Sequence, residues 1–174
     1  GQVADVEVTA SYDDLDALRA FAAQVKVVTF EFENIPSDAI EAIESVTPVR
    51  PSNVALHIAQ QRAREKTFLA DRGFPTAPFM RASTLDELWE AVGQVGTPAV
   101  VKTAVFGYDG KGQHMVTRRA DVEHVWTAIG HQEAVVEKFV SLQAEISIVA
   151  SRGLDGEVVE YPPFENRHRN HILD

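Results

Sequence analysis

Lys102 closes the β-branched run Pro98-Ala-Val-Val-Lys102, and the chain then enters Phe106-Gly-Tyr-Asp-Gly-Lys-Gly-Gln113. Gly107, Gly110 and Gly112 allow backbone N–H groups to crowd against an anion, while Lys102 and Lys111 bring positive charge. Residues of these types in this order handle phosphate. The GxxxxGK[ST] spacing of a P-loop is absent, and no helical pattern follows directly. His114-Met-Val-Thr117 reads instead as a returning strand, which makes 106–113 the tip of a β-hairpin able to fold over a nucleotide. Asp109-Gly110 is also an ordinary turn dipeptide, so a flexible hairpin without a ligand is the competing reading.

Further along, Ala134-Val-Val-Glu-Lys-Phe-Val140 reads as a strand whose end can offer backbone groups to an adenine edge, with Glu145 able to accept from ribose hydroxyls. The alternative is a surface strand with Lys138 snorkelling. Composition limits the remaining chemistry. The 174 residues, 45% hydrophobic, can bury the cores of one to two small domains. A net charge of −10 argues against nucleic acid or an anionic membrane as partner, yet leaves room for a local basic pocket. The absence of cysteine excludes disulfides, thiolate catalysis and Cys-ligated zinc. No apolar run reaches the roughly 18 residues of a membrane span. No signal peptide is recognisable, since Gly1-Gln-Val-Ala-Asp-Val-Glu-Val8 opens in strand-like alternation.

The elements that must position these side chains can be read from periodicity. Alternation predicts a strand over 3–8, and Ser11 and Asp13 can cap a helix with Leu15, Leu18, Phe21 and Ala22 at helical spacing. Residues 25–32, nearly continuous in apolar content, predict a central strand of a parallel sheet. Pro36 and Ser37 start a helix to about Ile43, and a short strand follows at 46–49. This is half of a doubly wound α/β domain. Two helical segments fill 52–72, with Gly73 as the C′ residue and a stiff linker over 73–78. Ser83 caps a helix through Leu85, Leu88, Trp89 and Val92. From Pro98 the pattern turns α+β, with antiparallel strands at 99–104, 113–117, 134–139, 144–150 and 157–161 and one helix at 121–129. The expected division is a partial α/β domain at 1–50, a helical connection at 51–97, a small β-rich subdomain at 98–160, and the start of a further core at 161–174.

A lysine strand, a glycine-rich hairpin, a helix, the Glu137-Lys-Phe-Val140 strand and then an acid resemble, in that order, the ATP-grasp superfamily. Four motifs are similar to signatures of its N5-carboxyaminoimidazole ribonucleotide synthetase family, also described as the ATPase subunit of phosphoribosylaminoimidazole carboxylase. They are Thr29-Phe-Glu-Phe-Glu-Asn-Ile-Pro36, Phe74-Pro-Thr-Ala-Pro78, Gly107-Tyr-Asp-Gly-Lys-Gly-Gln113 and Tyr161-Pro-Pro-Phe-Glu-Asn-Arg-His168. The resemblance runs over essentially the whole chain. It implies a partial ATP-grasp fold and an ATP-dependent ligase of de novo purine biosynthesis. That ligase carboxylates 5-aminoimidazole ribonucleotide with bicarbonate through carboxyphosphate. ATP and Mg2+ are the implied cofactors, small molecules the implied partners, and a cytoplasmic homodimer the implied state.

The resemblance also implies residue roles. Lys102 and Arg62 reach the nucleotide, and Gly107, Tyr108, Asp109, Gly110, Lys111, Gly112 and Gln113 cover its phosphates. Lys102, at a strand mouth, is expected to give charge to the site rather than to the core. Glu137, Lys138, Phe139 and Val140 line the adenine, Glu145 the ribose, and His168 belongs to the same site. Tyr108 and Asp109 also face the ribonucleotide, as does Glu33, whose alternative is a partner for the helix dipole near Pro36. Phe106 stands where the family usually has glycine. The family begins with a glycine-rich turn that this chain lacks, and it continues beyond Asp174 into the magnesium-ligating core. The piece is therefore expected to hold no metal ligands and to be inactive alone. The competing readings are another ATP-grasp ligase, of the formate-dependent glycinamide ribonucleotide transformylase or biotin carboxylase type, and a non-catalytic nucleotide-binding module.

Overall fold

The computed structural model describes residues 3–105, 112–169, 172 and 173, and it divides into two units, 1–76 with 104–106, and 77–103 with 107–174.

The first unit contains α1 (Leu15–Ala22), α2 (Ser37–Glu44), α3 (Asn53–Ala59) and α4 (Arg62–Asp71), each where helical spacing predicts one. Asp14, rather than Ser11 or Asp13, caps α1: its carboxylate accepts from the Ala17 N–H. Ser11 builds the lead-in turn, its Oγ accepting from the Asp13 N–H. Helix α4 ends as expected at Gly73, φ 78°, with the Phe74 N–H donating to the Leu69 carbonyl and the Gly73 N–H to that of Ala70. Ala22, Ile35, Ala39, Ile40 and Ile43 pack with Val28, Val49 and Leu56 into this unit's core.

The strands expected here are mostly missing. Residues 3–8 form none, and Val3 and Val6 are exposed. An alternating stretch becomes a strand only beside a partner, and among the described residues it has none. The stretch 25–32 contracts to one parallel bridge, Val28 to Val49, with the Val28 N–H donating to the Pro48 carbonyl and the Arg50 N–H to that of Val28. The apolar run reports the burial of Val28 and Phe30 against the helices, not the length of a ladder.

The second unit is built on β1 (Phe79–Ala82), β2 (Ala99–Thr103), β3 (Gln113–Val116) and β4 (Ala134–Lys138), an antiparallel sheet in the order β1-β4-β2-β3. Strand β1 was not expected, because four residues are too few to show a period. Residues 77–97, read from sequence as connection, thus supply β1 and α5 (Leu85–Val95) to this unit. Thr84, not Ser83, caps α5: its Oγ1 accepts from the Glu87 N–H, while the Glu87 carboxylate accepts from the Ser83 N–H. A single 3-10 turn, Arg119–Asp121, leads into α6 (Val122–Ala128). Helices α5 and α6 cover one sheet face, where Ala99, Val101, Val116, Ala134 and Val136 meet Leu88, Val92, Val122 and Val125. Alternation then sends Val100, Lys102, Val135 and Glu137 to the opposite face.

Beyond the sheet come β5 (Ile146–Ser147), β6 (Ala150–Arg152), β7 (Val158–Glu160) and β8 (Phe164–Glu165). Strand β5 pairs with β8 and β6 with β7, so the two strands expected at 144–150 and 157–161 become one long, interrupted hairpin. The interruption has a covalent cause. Between the two ladders Ile148 runs opposite Pro162-Pro163, which have no N–H to donate, and the register slips by one residue. A last small pair, β9 (His168–Arg169) with β10 (Ile172–Leu173), follows.

Candidate active site

Across β2 and β4, Lys102 stands opposite Val135 and Val100 opposite Glu137, so Lys102 and Glu137 are diagonal neighbours on the face away from α5 and α6. The Lys102 Nζ donates to Glu137 Oε2 at 3.0 Å, with the side chains 24% and 10% exposed. Lys102 is therefore tied to a nearly buried carboxylate rather than standing free at the strand mouth. Strand β3 sets Gln113 directly opposite Lys102.

Gly112 closes the hairpin between them. The Thr103 N–H donates to the Gly112 carbonyl at 2.9 Å, Gly112 has φ 69°, and a Cβ there would lie 2.6 Å from Thr103 Oγ1. Backbone angle and space both demand glycine. Phe106, Gly107, Tyr108, Asp109, Gly110 and Lys111 lie outside the described residues.

The end of β4 has an unusual backbone. The Lys138 N–H donates to the Pro78 carbonyl at 2.8 Å and the Phe139 N–H to that of Pro98 at 3.1 Å. An antiparallel partner normally returns an N–H, but proline has none. The carbonyls of Lys138 and Phe139 therefore accept no ladder bond, and the Val140 N–H finds no partner among the described residues. Acceptors and a donor side by side form an edge suited to a planar heterocycle. The Lys138 amine takes no part in that edge: it points to the other face and donates to the Thr97 carbonyl at 3.3 Å. Phe139 and Val140 are exposed.

Glu145 and His168 meet at the base of the long hairpin. Asn166 joins them, donating from its backbone N–H to the Glu145 carbonyl and from Nδ2 to Glu145 Oε1 and Ser147 Oγ, each at 2.8 Å. The His168 Nε2 lies 3.6 Å from Glu145 Oε1. Asn166 was not singled out from sequence, because only the register slip at Pro162-Pro163 sets it opposite Glu145. Its Oδ1 is buried and accepts no hydrogen bond among the described residues.

Glu33 and Arg62 belong to the first unit. Arg62 opens α4, its N–H donating to the Ala104 carbonyl at 3.0 Å. Glu33 is exposed in the bend before α2, and its carbonyl accepts from the Ile35 N–H at 2.9 Å and from Gln60 Nε2 at 2.7 Å. Among the described residues no group of three or more His, Asp and Glu could hold a metal ion. No described helix is long and apolar enough to cross a membrane.

The family model of the ATP-grasp domain matches residues 67–174, and that of the ribonucleotide synthetase preATP-grasp domain matches residues 1–60. The N5-carboxyaminoimidazole ribonucleotide synthase of Bacillus subtilis is 38% identical over 173 residues, which are 99% of this chain and 46% of the relative. A crystal structure of the ADP complex of an N5-carboxyaminoimidazole ribonucleotide synthetase superposes with TM-score 0.91 at 37% identity, over 99% of this chain and 46% of that one. The Aspergillus clavatus N5-carboxyaminoimidazole synthase in complex with ADP and 5-aminoimidazole ribonucleotide gives TM-score 0.84 at 26% identity, over 98% and 44%. The chain thus spans about half the length of these relatives. With a family model covering most of its residues and a fold to match, the chain belongs to the ATP-grasp family.

Proposed function

We propose that this chain serves an ATP-dependent ligase that joins bicarbonate to 5-aminoimidazole ribonucleotide, giving N5-carboxyaminoimidazole ribonucleotide, ADP and phosphate. One observation carries the reading. The Glu145 and His168 of the expected nucleotide site meet, and Lys102 pairs with Glu137, in a chain 38% identical to a synthase of that name over 173 residues.

Bicarbonate is a poor electrophile. In the proposed reaction one of its oxygens attacks the γ-phosphorus, ADP leaves, and carboxyphosphate forms. The ribonucleotide amine then attacks the carboxyl carbon, a proton is lost from nitrogen, and phosphate leaves. Such transfer is mostly positioning and charge neutralisation. Lys102 and Arg62 supply cationic contacts to the phosphates, and 107–113 covers them. The carbonyl and N–H groups of Lys138 to Val140 take the adenine edge, and Glu145, oriented by Asn166, accepts from the ribose with His168 beside it. Tyr108 stacks on the imidazole, while Asp109 and Glu33 accept from the ribonucleotide. Magnesium, which the family implies, finds no fitting donor set among the described residues, and no step above depends on it. The functional division proposed is the one expected from sequence, 1–50, 51–97, 98–160 and 161–174, with 77–97 packed in the unit of the four-stranded sheet, in a cytoplasmic homodimer. Light scattering on the full-length protein tests the dimer.

The reaction itself is tested by ADP release from the full-length protein. Release is expected only with ATP, bicarbonate and the ribonucleotide together. Release driven by biotin, or by formate with glycinamide ribonucleotide, replaces the reading with another ligase. ATP binding without turnover under any of these conditions leaves a nucleotide-binding module.

A further inference from the structure

We infer that Gln60 is the positioning residue for the Glu33 carboxylate. The inference rests on the proposed role of Glu33 toward the ribonucleotide. Gln60 follows the last turn of α3, where its own N–H donates to the Leu56 carbonyl at 2.9 Å. Its side chain reaches across to the bend before α2, where Nε2 lies 2.7 Å from the Glu33 carbonyl and 2.7 Å from that of Ile35. Both partners are pure acceptors, so the amide orientation is unambiguous and both amide hydrogens are used.

The turn has little else to hold it. Among the described residues, the only hydrogen bonds of Glu33 are those two to its carbonyl, one from Gln60 and one from the Ile35 N–H. The nearest β pairing is the lone bridge at Val28. Ile35, 6% exposed, anchors the far end in the core, while Glu33 is exposed. The direction of the Glu33 side chain therefore follows from a three-residue turn that one amide clamps at both ends. Asn34 and Ile35 of the same turn line a cleft of about 340 Å3 with Gln60, Arg64 and Ser37, and Glu33 lies beside that cleft in sequence but outside its lining. A carboxylate that must meet an amine gains from such a clamp, since displacement by about 1 Å removes much of the benefit of positioning.

The test uses the full-length protein carrying Gln60→Met, which keeps the side-chain length and removes the donor, alone and with Glu33→Gln. KM for the ribonucleotide is expected to rise roughly five- to twenty-fold with KM for ATP changed less than about twofold. In the Glu33→Gln background the same change should add less than about twofold, because the clamp then has no carboxylate to aim. Amide exchange at Ile35 should quicken. Gln60→Glu, with oxygen facing both carbonyls, should repeat the KM effect and decides the matter if Gln60→Met does not fold. Equal losses for ATP and the ribonucleotide, or the same loss in both backgrounds, would overturn the inference. If Glu33→Gln alone leaves ribonucleotide kinetics unchanged, the role of Glu33 itself is wrong and the inference falls with it.

Discussion

Replacing Lys102 by Met should lower both the stability of the second unit and its affinity for ATP, and the two effects can be separated through Glu137. At the observed 3.0 Å, two unit charges attract by about 5.5 kcal/mol at an effective dielectric near 20. Withdrawing two such groups from water offsets much of that, and a hydrogen bond to a charged group nets about 1.5–3 kcal/mol. Side-chain exposures of 24% and 10% put the pair on the buried side of that range. Lys102→Met should therefore cost about 1.5–3 kcal/mol in urea unfolding of the full-length protein. In a Glu137→Gln background the same substitution should cost less, by a coupling of roughly 1–3 kcal/mol. Nucleotide affinity should behave differently: if Lys102 contacts phosphate, Lys102→Met should weaken ATP in both backgrounds. A urea midpoint that Lys102→Met does not move, or a cycle with no coupling, refutes the structural half of the argument. Unchanged ATP affinity removes Lys102 from the site.

Other substitutions probe the rest. Gly112→Ala should destabilise the second unit by at least about 1–2 kcal/mol, the cost of a left-handed backbone for a residue with a Cβ; an unchanged urea midpoint would show that the hairpin relaxes around it. Asp109→Asn should raise the ribonucleotide KM by the equivalent of about 1–3 kcal/mol and spare ATP, whereas wild-type kinetics would leave Asp109 as turn chemistry only. The Arg118 side chain, with help from its backbone N–H and the Thr117 hydroxyl, holds the Asp121 carboxyl below its ordinary 3.8. A lowered pKa gives stability that is full above the ordinary value and is lost as pH falls through the lowered one. The melting difference between wild type and Asp121→Asn should thus be flat around neutrality and shrink below pH 3.8, and a difference that persists undiminished in acid would refute it.

The parts of the fold written in short-range chemistry were legible. Helical spacing placed α1 to α6, and Gly73 marked the end of α4, because helix faces and glycine stops are decided within a few residues, although the N-caps of α1 and α5 fall one residue beyond Asp13 and Ser83. The same holds for β2 and β3, whose patterns record one buried face, and for β4, whose nearly continuous apolar run records burial on both. What depended on partners was not legible. The alternation of 3–8 found no neighbour, and 25–32 kept one bridge. Asn166 entered the site only because two prolines shift the register of its hairpin. Glu137 illustrates both sides: its type and place in the motif marked it as a site residue, but only the register of β2 on β4 reveals that it holds Lys102. Gln60 was invisible for the same reason, since its two bonds join segments far apart in sequence.

If ATP activates bicarbonate for transfer to the ribonucleotide, the fate of the bicarbonate oxygens shows it directly. The full-length protein should be given ATP, the ribonucleotide and 18O-labelled bicarbonate, and quenched before bicarbonate exchanges with water. Because the bicarbonate oxygen that attacks phosphorus leaves with it, the released phosphate should carry one 18O per turnover and the new carboxylate two. Phosphate free of label, with ADP still formed, would mean that water attacks the nucleotide and that bicarbonate is never phosphorylated, which contradicts activation of bicarbonate by ATP.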